Sequence, residues 1–310
     1  MTAPILKARV RADIQSKADR ILRELGYPEP PLRLEDVCEL LRLDRGFFTG
    51  ESDGLLKTTF SRLKRAGKQL LERPTLLGDA IKKFDLRALY LPDRKRILID
   101  ESIPKPKHRW LEAHEIGHDI LTWHHDMMLG DDDLTPTAAV HDKMEAEANF
   151  AAGSLLFLGD RFVNECRDCT PSIATAQKLK KRYGNTFTTT LWRMIEHAGK
   201  GTPMIGLIGQ HPNQFQNEKP DFRHVIPSRA FSAQFDVPPI DQIKAKIGSY
   251  CWKNRGPLGS AEVIIEDREG NRHQFAFETF YNGYDALTLG VYTRQIPNTI
   301  IASGVDFSGL

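Results

Sequence analysis

His114-Glu115-Ile116-Gly117-His118 sets two imidazoles four residues apart with a carboxylate between them. On a helix, residues four apart lie on one face, one turn above the other. Both rings can therefore reach one Zn²⁺ at about 2.0–2.1 Å. Glu115 would sit beside that metal and not on it, where it can take a proton from a water and later deliver it to a leaving amine. The metal's share would be to lower the pKa of the water and polarise a carbonyl. The pattern thus points to peptide-bond hydrolysis. Trp110, Leu111, Ala113, Ile116, Ile120 and Leu121 make the surrounding helix largely apolar and predict its burial. A buried His-Glu-His turn is costly unless its groups are partnered. Gly117 costs about 1 kcal/mol of helix stability relative to Ala, a cost that fits close approach of another backbone.

A catalytic zinc needs a third protein ligand, and three residues can be weighed. His124 follows His118 by six residues, but Leu121 stands where a glycine would let the chain turn back to the metal. On a continuous helix, at about 100° per residue, His124 points roughly 240° away from His118. The other two are Glu145 and Glu147 in Lys143-Met144-Glu145-Ala146-Glu147-Ala148-Asn149-Phe150-Ala151-Ala152. Glu145 and Asn149 share a face, so Asn149 can hydrogen-bond a ligand or its neighbour from behind. Glu147 lies about 200° round from Glu145 and reads as a solvated charge. Small Ala146, Ala148, Ala151, Ala152 and Gly153 permit close packing of this helix on the first. The residues favour Glu145. His141, one turn before it, reads as a surface histidine. Zn²⁺ suits two imidazoles and a carboxylate, and Mn²⁺ or Fe²⁺ can occupy the same set.

Several segments must position these residues. Ile14, Ala18, Ile21, Leu22 and Leu25 predict an amphipathic helix, stopped by Gly26 and Pro28-Glu29-Pro30-Pro31. A short helix is expected over Leu34 to Leu41, and a weakly helical basic stretch over Lys57 to Lys83. Leu86 to Leu91 and Arg96 to Asp100, flanking Pro92-Asp93-Arg94-Lys95, predict a β-hairpin. The metal-site helix is expected from about Lys107 to Trp123. An acidic connection follows (Asp131-Asp132-Asp133, Pro136), then a helix from about Val140 to Leu158. Ser172 to His197 reads as two helices around Tyr183-Gly184-Asn185. A composition shift comes near residue 200, and beyond it the pattern is β-rich, with Ala261 to Glu266 and His273 to Phe280 paired across Asp267-Arg268-Glu269-Gly270-Asn271. The expectation is an α+β protein with a catalytic domain over 1–200 and a β-rich domain over 201–310.

Trp110-Leu111-Glu112-Ala113-His114-Glu115-Ile116-Gly117-His118-Asp119-Ile120-Leu121, followed by Glu145-Ala146-Glu147-Ala148-Asn149-Phe150-Ala151-Ala152-Gly153-Ser154-Leu155-Leu156, resembles the ImmA/IrrE family of zinc metallopeptidases. That family pairs an Ala-His-Glu-(Leu/Ile)-Gly-His helix with a Glu-x-Glu-Ala-Asn-x-Phe-Ala-Ala helix. The resemblance covers residues 108 to 158 and extends more loosely to the N-terminal helix and Arg33-Leu34-Glu35-Asp36-Val37. It implies a zincin-like, gluzincin-type domain with His114, His118 and Glu145 as zinc ligands and Glu115 as general base. It also implies cleavage of a helix-turn-helix transcriptional repressor, releasing mobile-element or stress-response genes. Some family members also carry a helix-turn-helix-like segment, to which 172–198 would correspond, and a sensor-like C-terminal domain, to which 201–310 would correspond. Two departures stand out. Phe157-Leu158-Gly159 follows Leu155-Leu156 where the family often continues Met-Pro, and residues 50–86 look like an insertion.

The bulk properties set the bounds. The 310 residues carry a net charge of +2, with 27% charged and 40% hydrophobic residues, which is ordinary for a soluble globular chain and gives no polyelectrolyte character. DNA contact would have to come from a local patch, for which Lys178, Lys180, Lys181, Arg182 and Arg193 are the candidates. No apolar run reads as a secretory signal or a membrane span. Cys38, Cys166, Cys169 and Cys251 suggest no disulfide framework, so a reduced cytoplasm is expected. Cys166-Arg167-Asp168-Cys169 is half of a zinc-ribbon pattern without its second half. The other function classes are a DNA- or ligand-binding regulator that keeps a closed structural metal site, and a toxin or stress-module peptidase that needs an activator. Intact Glu115 favours the enzyme, because a structural site has no use for it.

Overall fold

The amphipathic N-terminal stretch forms α1 (Ala8–Glu24), which buries Ile14, Ala18, Ile21 and Leu22 along one face. The computed structural model describes residues 6–48, 88–129, 138–198, 201–214 and 222–297. The basic 57–83 stretch and the acidic 131–133 run lie outside them. After α1 come α2 (Leu34–Leu41), β1 (Asp44–Phe48), β2 (Ala88–Leu91) and β3 (Arg96–Asp100). The predicted hairpin is present as antiparallel β2 and β3, joined by a turn in which Lys95 adopts a left-handed conformation (φ 48°). β1 adds in parallel on the other side of β3, giving the order β1-β3-β2.

α3 (Lys105–Ile120) carries His114 to His118 and opens with Pro106, whose missing N–H costs nothing in a first turn. It packs against β2, β3 and the long helix α5 (Ala138–Leu156), which also packs against α1. Two buried carboxylates tie α3 down. Glu112 accepts twice from Arg45 Nη1 on β1, at 3.0 and 3.1 Å, and lies 3.7 Å from Cys38 Sγ on α2. Asp119 accepts from the Tyr90 hydroxyl on β2 and from Lys95 Nζ at 2.6 Å. α3 therefore has a fixed rotation and height relative to the small sheet.

The spacing of α3 and α5 is set at Gly117. A Cβ there would lie 2.7 Å from the Ala148 carbonyl oxygen and 3.2 Å from both Ala148 Cα and Ala151 Cβ. The close approach expected from Gly117 and the alanine-rich second helix is present. At the far end of α5, Asn185 Nδ2 donates to the Leu156 carbonyl at 3.1 Å, satisfying one of the acceptors a helix end leaves open.

The chain forms two compact units. One runs to Phe162 and includes Lys180–Thr186; the other combines Val163–Leu179 with the chain from Phe187 onward. The division falls within α6 (Asp160–Arg167) and α7 (Ile173–Tyr183), whereas the composition shift near residue 200 marks where the strands of the second unit begin. The second unit holds α8 (Phe187–Ala198), β4 (Met204–Gly209), β5 (Phe222–Pro227), α9 (Arg229–Gln234), α10 (Ile240–Tyr250), β6 (Gly256–Glu266), β7 (Arg272–Tyr281) and β8 (Ala286–Gln295). Its five strands form an antiparallel sheet in the order β5-β4-β8-β7-β6. Every residue of β4 is buried. Alternate side chains of a strand face opposite sides: Ile205 and Leu207 join Phe231 of α9, Phe235 just after it, and Ile243 and Ile247 of α10, while Gly206 lies under Ile195 of α8. Phe275, Phe277 and Tyr250 are buried in this core, whereas Trp252 is 75% exposed because the chain leaves α10 before it. The protein is α+β, and among the described residues no helix is long and apolar enough to cross a membrane.

Substituting Gly117→Ala tests the helix spacing. The helix-propensity gain of about 1 kcal/mol is outweighed by overpacking against Ala148, so a net loss of about 1–2 kcal/mol is expected in urea unfolding. A neutral or stabilised variant would show that α5 can retreat at no cost.

Candidate metal centre

His114 and His118 occupy successive turns of α3, and Glu145 reaches them from α5. Among the described residues, these three form the group able to hold a metal ion. His114 Nε2 and His118 Nε2 are 3.2 Å apart. Glu145 Oε2 lies 3.2 Å from His114 Nε2, and Glu145 Oε1 lies 3.6 Å from His118 Nε2. Ligand atoms of a tetrahedral site with bonds of about 2.0–2.1 Å are about 3.3 Å from one another. The donor set thus matches a divalent cation in size, and three lone-pair atoms so close need a cation or a proton among them. Burial alone would push the His114 imidazole down, but the Glu145 hydrogen bond and the Glu115 charge hold it above its usual range. Burial would likewise raise Glu145, yet the two imidazoles hold its carboxyl well below the usual carboxylate range.

Glu115 follows the first histidine and is 6% exposed. Burial raises its carboxyl above the usual range, against the opposing pull of His114, His118 and the Tyr90 backbone amide, which donates to it. A carboxyl displaced toward neutrality is suited to accept and return a proton. Asn149 is one turn from Glu145, and its Oδ1 lies 3.1 Å from His114 Nδ1. An amide oxygen there accepts from Nδ1–H and leaves Nε2 as the unprotonated ligand atom.

The structure departs from the sequence reading on the far side of His118. The apolar spacing predicts one helix to Trp123. Instead α3 ends at Ile120, Leu121 takes a non-helical conformation (φ −100°, ψ 87°), and α4 (Thr122–Leu129) starts anew. His124 is therefore carried back to His118, with the two Nδ1 atoms 2.9 Å apart and the His124 side chain fully buried. Burial, with the neighbouring His118 charge adding to it, pushes His124 down to about 3. Glu147 is no solvated charge. It is 2% exposed and accepts from Trp123 Nε1 at 2.9 Å, with His124 Nε2 at 3.4 Å and Lys143 Nζ at 3.7 Å. No Gly or Pro marks the break at Leu121, so the signal available in the sequence was only a third histidine and a tryptophan just past the motif. His141 is exposed, 3.9 Å from Glu145 Oε1.

The remaining candidates are not among the three residues of this group. Lys178, Lys180 and Lys181 are exposed, whereas the Arg193 side chain is 12% exposed and lies 3.9 Å from Glu196. Cys166 is buried and Cys169 exposed, both as free thiols.

No protein-family profile matches the chain, and no curated protein sequence matches it. Among solved structures, a Mycobacterium tuberculosis transcriptional regulator has a similar fold, with a TM-score of 0.52 and 14% sequence identity over 92% of this chain and 80% of that one. At that identity the likeness is one of fold.

Metal analysis of the purified protein should find about one zinc per chain, absent in Glu145→Ala. Asn149→Ala should keep the site but weaken zinc roughly 10-fold in chelator competition, the usual scale for losing a partner behind a ligand. Full zinc content in Glu145→Ala would remove that residue from the ligand set.

Proposed function

We propose that the chain is a zinc-dependent endopeptidase of the ImmA/IrrE type, acting on a helix-turn-helix transcriptional repressor. The observation that carries this reading is the convergence of His114, His118 and Glu145 beside a buried Glu115 that is not among the three. A structural zinc site is closed by four protein ligands, whereas a catalytic one keeps a position open. Three ligands among the described residues, with His124 turned to the back of His118, support the catalytic kind.

The three ligands would hold Zn²⁺, which would act as a Lewis acid and polarise the scissile carbonyl. Glu115 takes a proton from the attacking water on its carboxylate. The water oxygen bonds to the carbonyl carbon, the C–N bond breaks, and Glu115 returns the proton to the leaving amine nitrogen. Burial keeps Glu115 protonatable, and the Tyr90 amide fixes one of its oxygens. Asn149 orients His114. The family resemblance is what supplies the substrate class, and the four cysteines without a disulfide framework are what suggest the cytoplasmic setting.

A second reading is supported by the likeness in fold to a transcriptional regulator. In it the chain binds DNA or a ligand and the metal helix is structural. The two readings separate at Glu115. Zinc-loaded wild type incubated with helix-turn-helix repressors encoded near its gene should yield defined fragments by mass spectrometry. Glu115→Gln should keep its zinc and lose about 10²–10⁴-fold in rate. Intact repressors with fully loaded wild type, together with promoter binding that survives Glu115→Gln, would favour the regulator. Cleavage that appears only with an added factor would mark an activator-dependent peptidase.

A further inference from the structure

We propose that His124 and Glu147 form a buried relay that positions His118 as a metal ligand, the counterpart of what Asn149 does for His114. The inference rests on the metal-site reading above and deepens it.

Each ligating histidine must present an unprotonated Nε2 to the centre, so each must keep its proton on Nδ1. That N–H needs an acceptor. For His114 the acceptor is Asn149 Oδ1, 3.1 Å away. For His118 the atom within reach is His124 Nδ1, at 2.9 Å. An imidazole nitrogen accepts only when it carries no proton, which puts the His124 proton on Nε2. That nitrogen faces Glu147 Oε2 at 3.4 Å. The carboxylate is fixed in turn by Trp123 Nε1 at 2.9 Å, with Lys143 Nζ at 3.7 Å from its other oxygen. The protons thus point one way along the chain, from His118 to His124 to Glu147. Trp123 packs edge-on against His124, with ring centroids 4.3 Å apart, and restricts its rotation.

The arrangement also accounts for two features that the three ligands and Glu115 leave unexplained. Glu147, although a carboxylic side chain, is almost completely buried, and α3 breaks at Leu121 where the apolar pattern would continue it. The break is what returns His124 to His118. Glu147 lies on α5 with Glu145, so one helix supplies a ligand on one side and the end of the relay on the other. His124 and Glu147 are positioning residues: they reach the metal only through His118.

The test is zinc affinity of the full chain by chelator competition, with the visible absorption of the Co²⁺-substituted protein as a second readout. His124→Phe fills the space without an acceptor and should weaken zinc about 10–100-fold while far-ultraviolet circular dichroism stays unchanged. His124→Asn keeps an acceptor near the former Nδ1 and should recover most of that loss. Glu147→Gln should cost less than His124→Phe, shift the Co²⁺ bands, and add nothing to the loss in the double variant, because it acts through His124. Zinc affinity within about twofold of wild type in folded His124→Phe, or additive losses in the double variant, would overturn the relay. Should His124→Phe fail to fold, unshifted Co²⁺ bands and unchanged affinity in Glu147→Gln would overturn it instead. Wild type that binds no zinc, or Glu145→Ala that still does, would defeat the metal site itself. Zinc lost in Glu145→Ala but unaffected by the His124 and Glu147 variants would defeat the relay alone.

Discussion

The contact of Gly117 with the Ala148 carbonyl, where a single methyl group would collide, governs the first unit of this protein. A carboxylate on one helix can meet two imidazoles on another only if the backbones approach more closely than ordinary side chains allow. Gly117 on α3 and the alanines of α5 make that approach, and Glu145 arrives within hydrogen-bonding distance of His114 as a result. The buried Glu112 and Asp119 carboxylates, held by the partly exposed Arg45 and Lys95, then fix the rotation of α3 against the small sheet. Pulling either carboxylate away from its cation leaves a buried acidic group without its partner, so each contact resists slippage even where its net contribution to stability is small.

The parts of the site that were legible in the sequence are those set by local periodicity. The spacing of His114, Glu115 and His118 needs only a helix, and the sharing of a face by Glu145 and Asn149 needs only another. The mutual approach of those helices was legible too, because Gly117 and Ala146, Ala148, Ala151 and Ala152 are small for a physical reason. The hairpin at Pro92 to Lys95 and the paired strands around Asp267 to Asn271 announced themselves through turn residues.

What was hidden is what depends on a chain reversal without a conventional marker. Leu121 and Thr122 carry no helix-breaking signature, so extrapolating α3 put His124 on the wrong side. That one geometric error also hid the burial of Glu147, since its partners come from the segment that turned. The placement of 163–179 in the second unit was hidden for a related reason. Composition records where helices give way to strands, whereas packing decides which helices the strands recruit, as Ile195 of α8 against Gly206 illustrates.

The indole of Trp123 donates to a carboxylate that in turn faces His124, and its ring lies against that imidazole and beneath the Lys143 ammonium. Trp192 instead donates to Glu196 in the second unit, and Trp252 is largely in solvent. Excited-state indoles respond to nearby charges and to changes in their hydrogen bonds. One of the molecule's own chromophores therefore stands two side chains from the centre, where its emission can register whether the centre is filled without any label being attached.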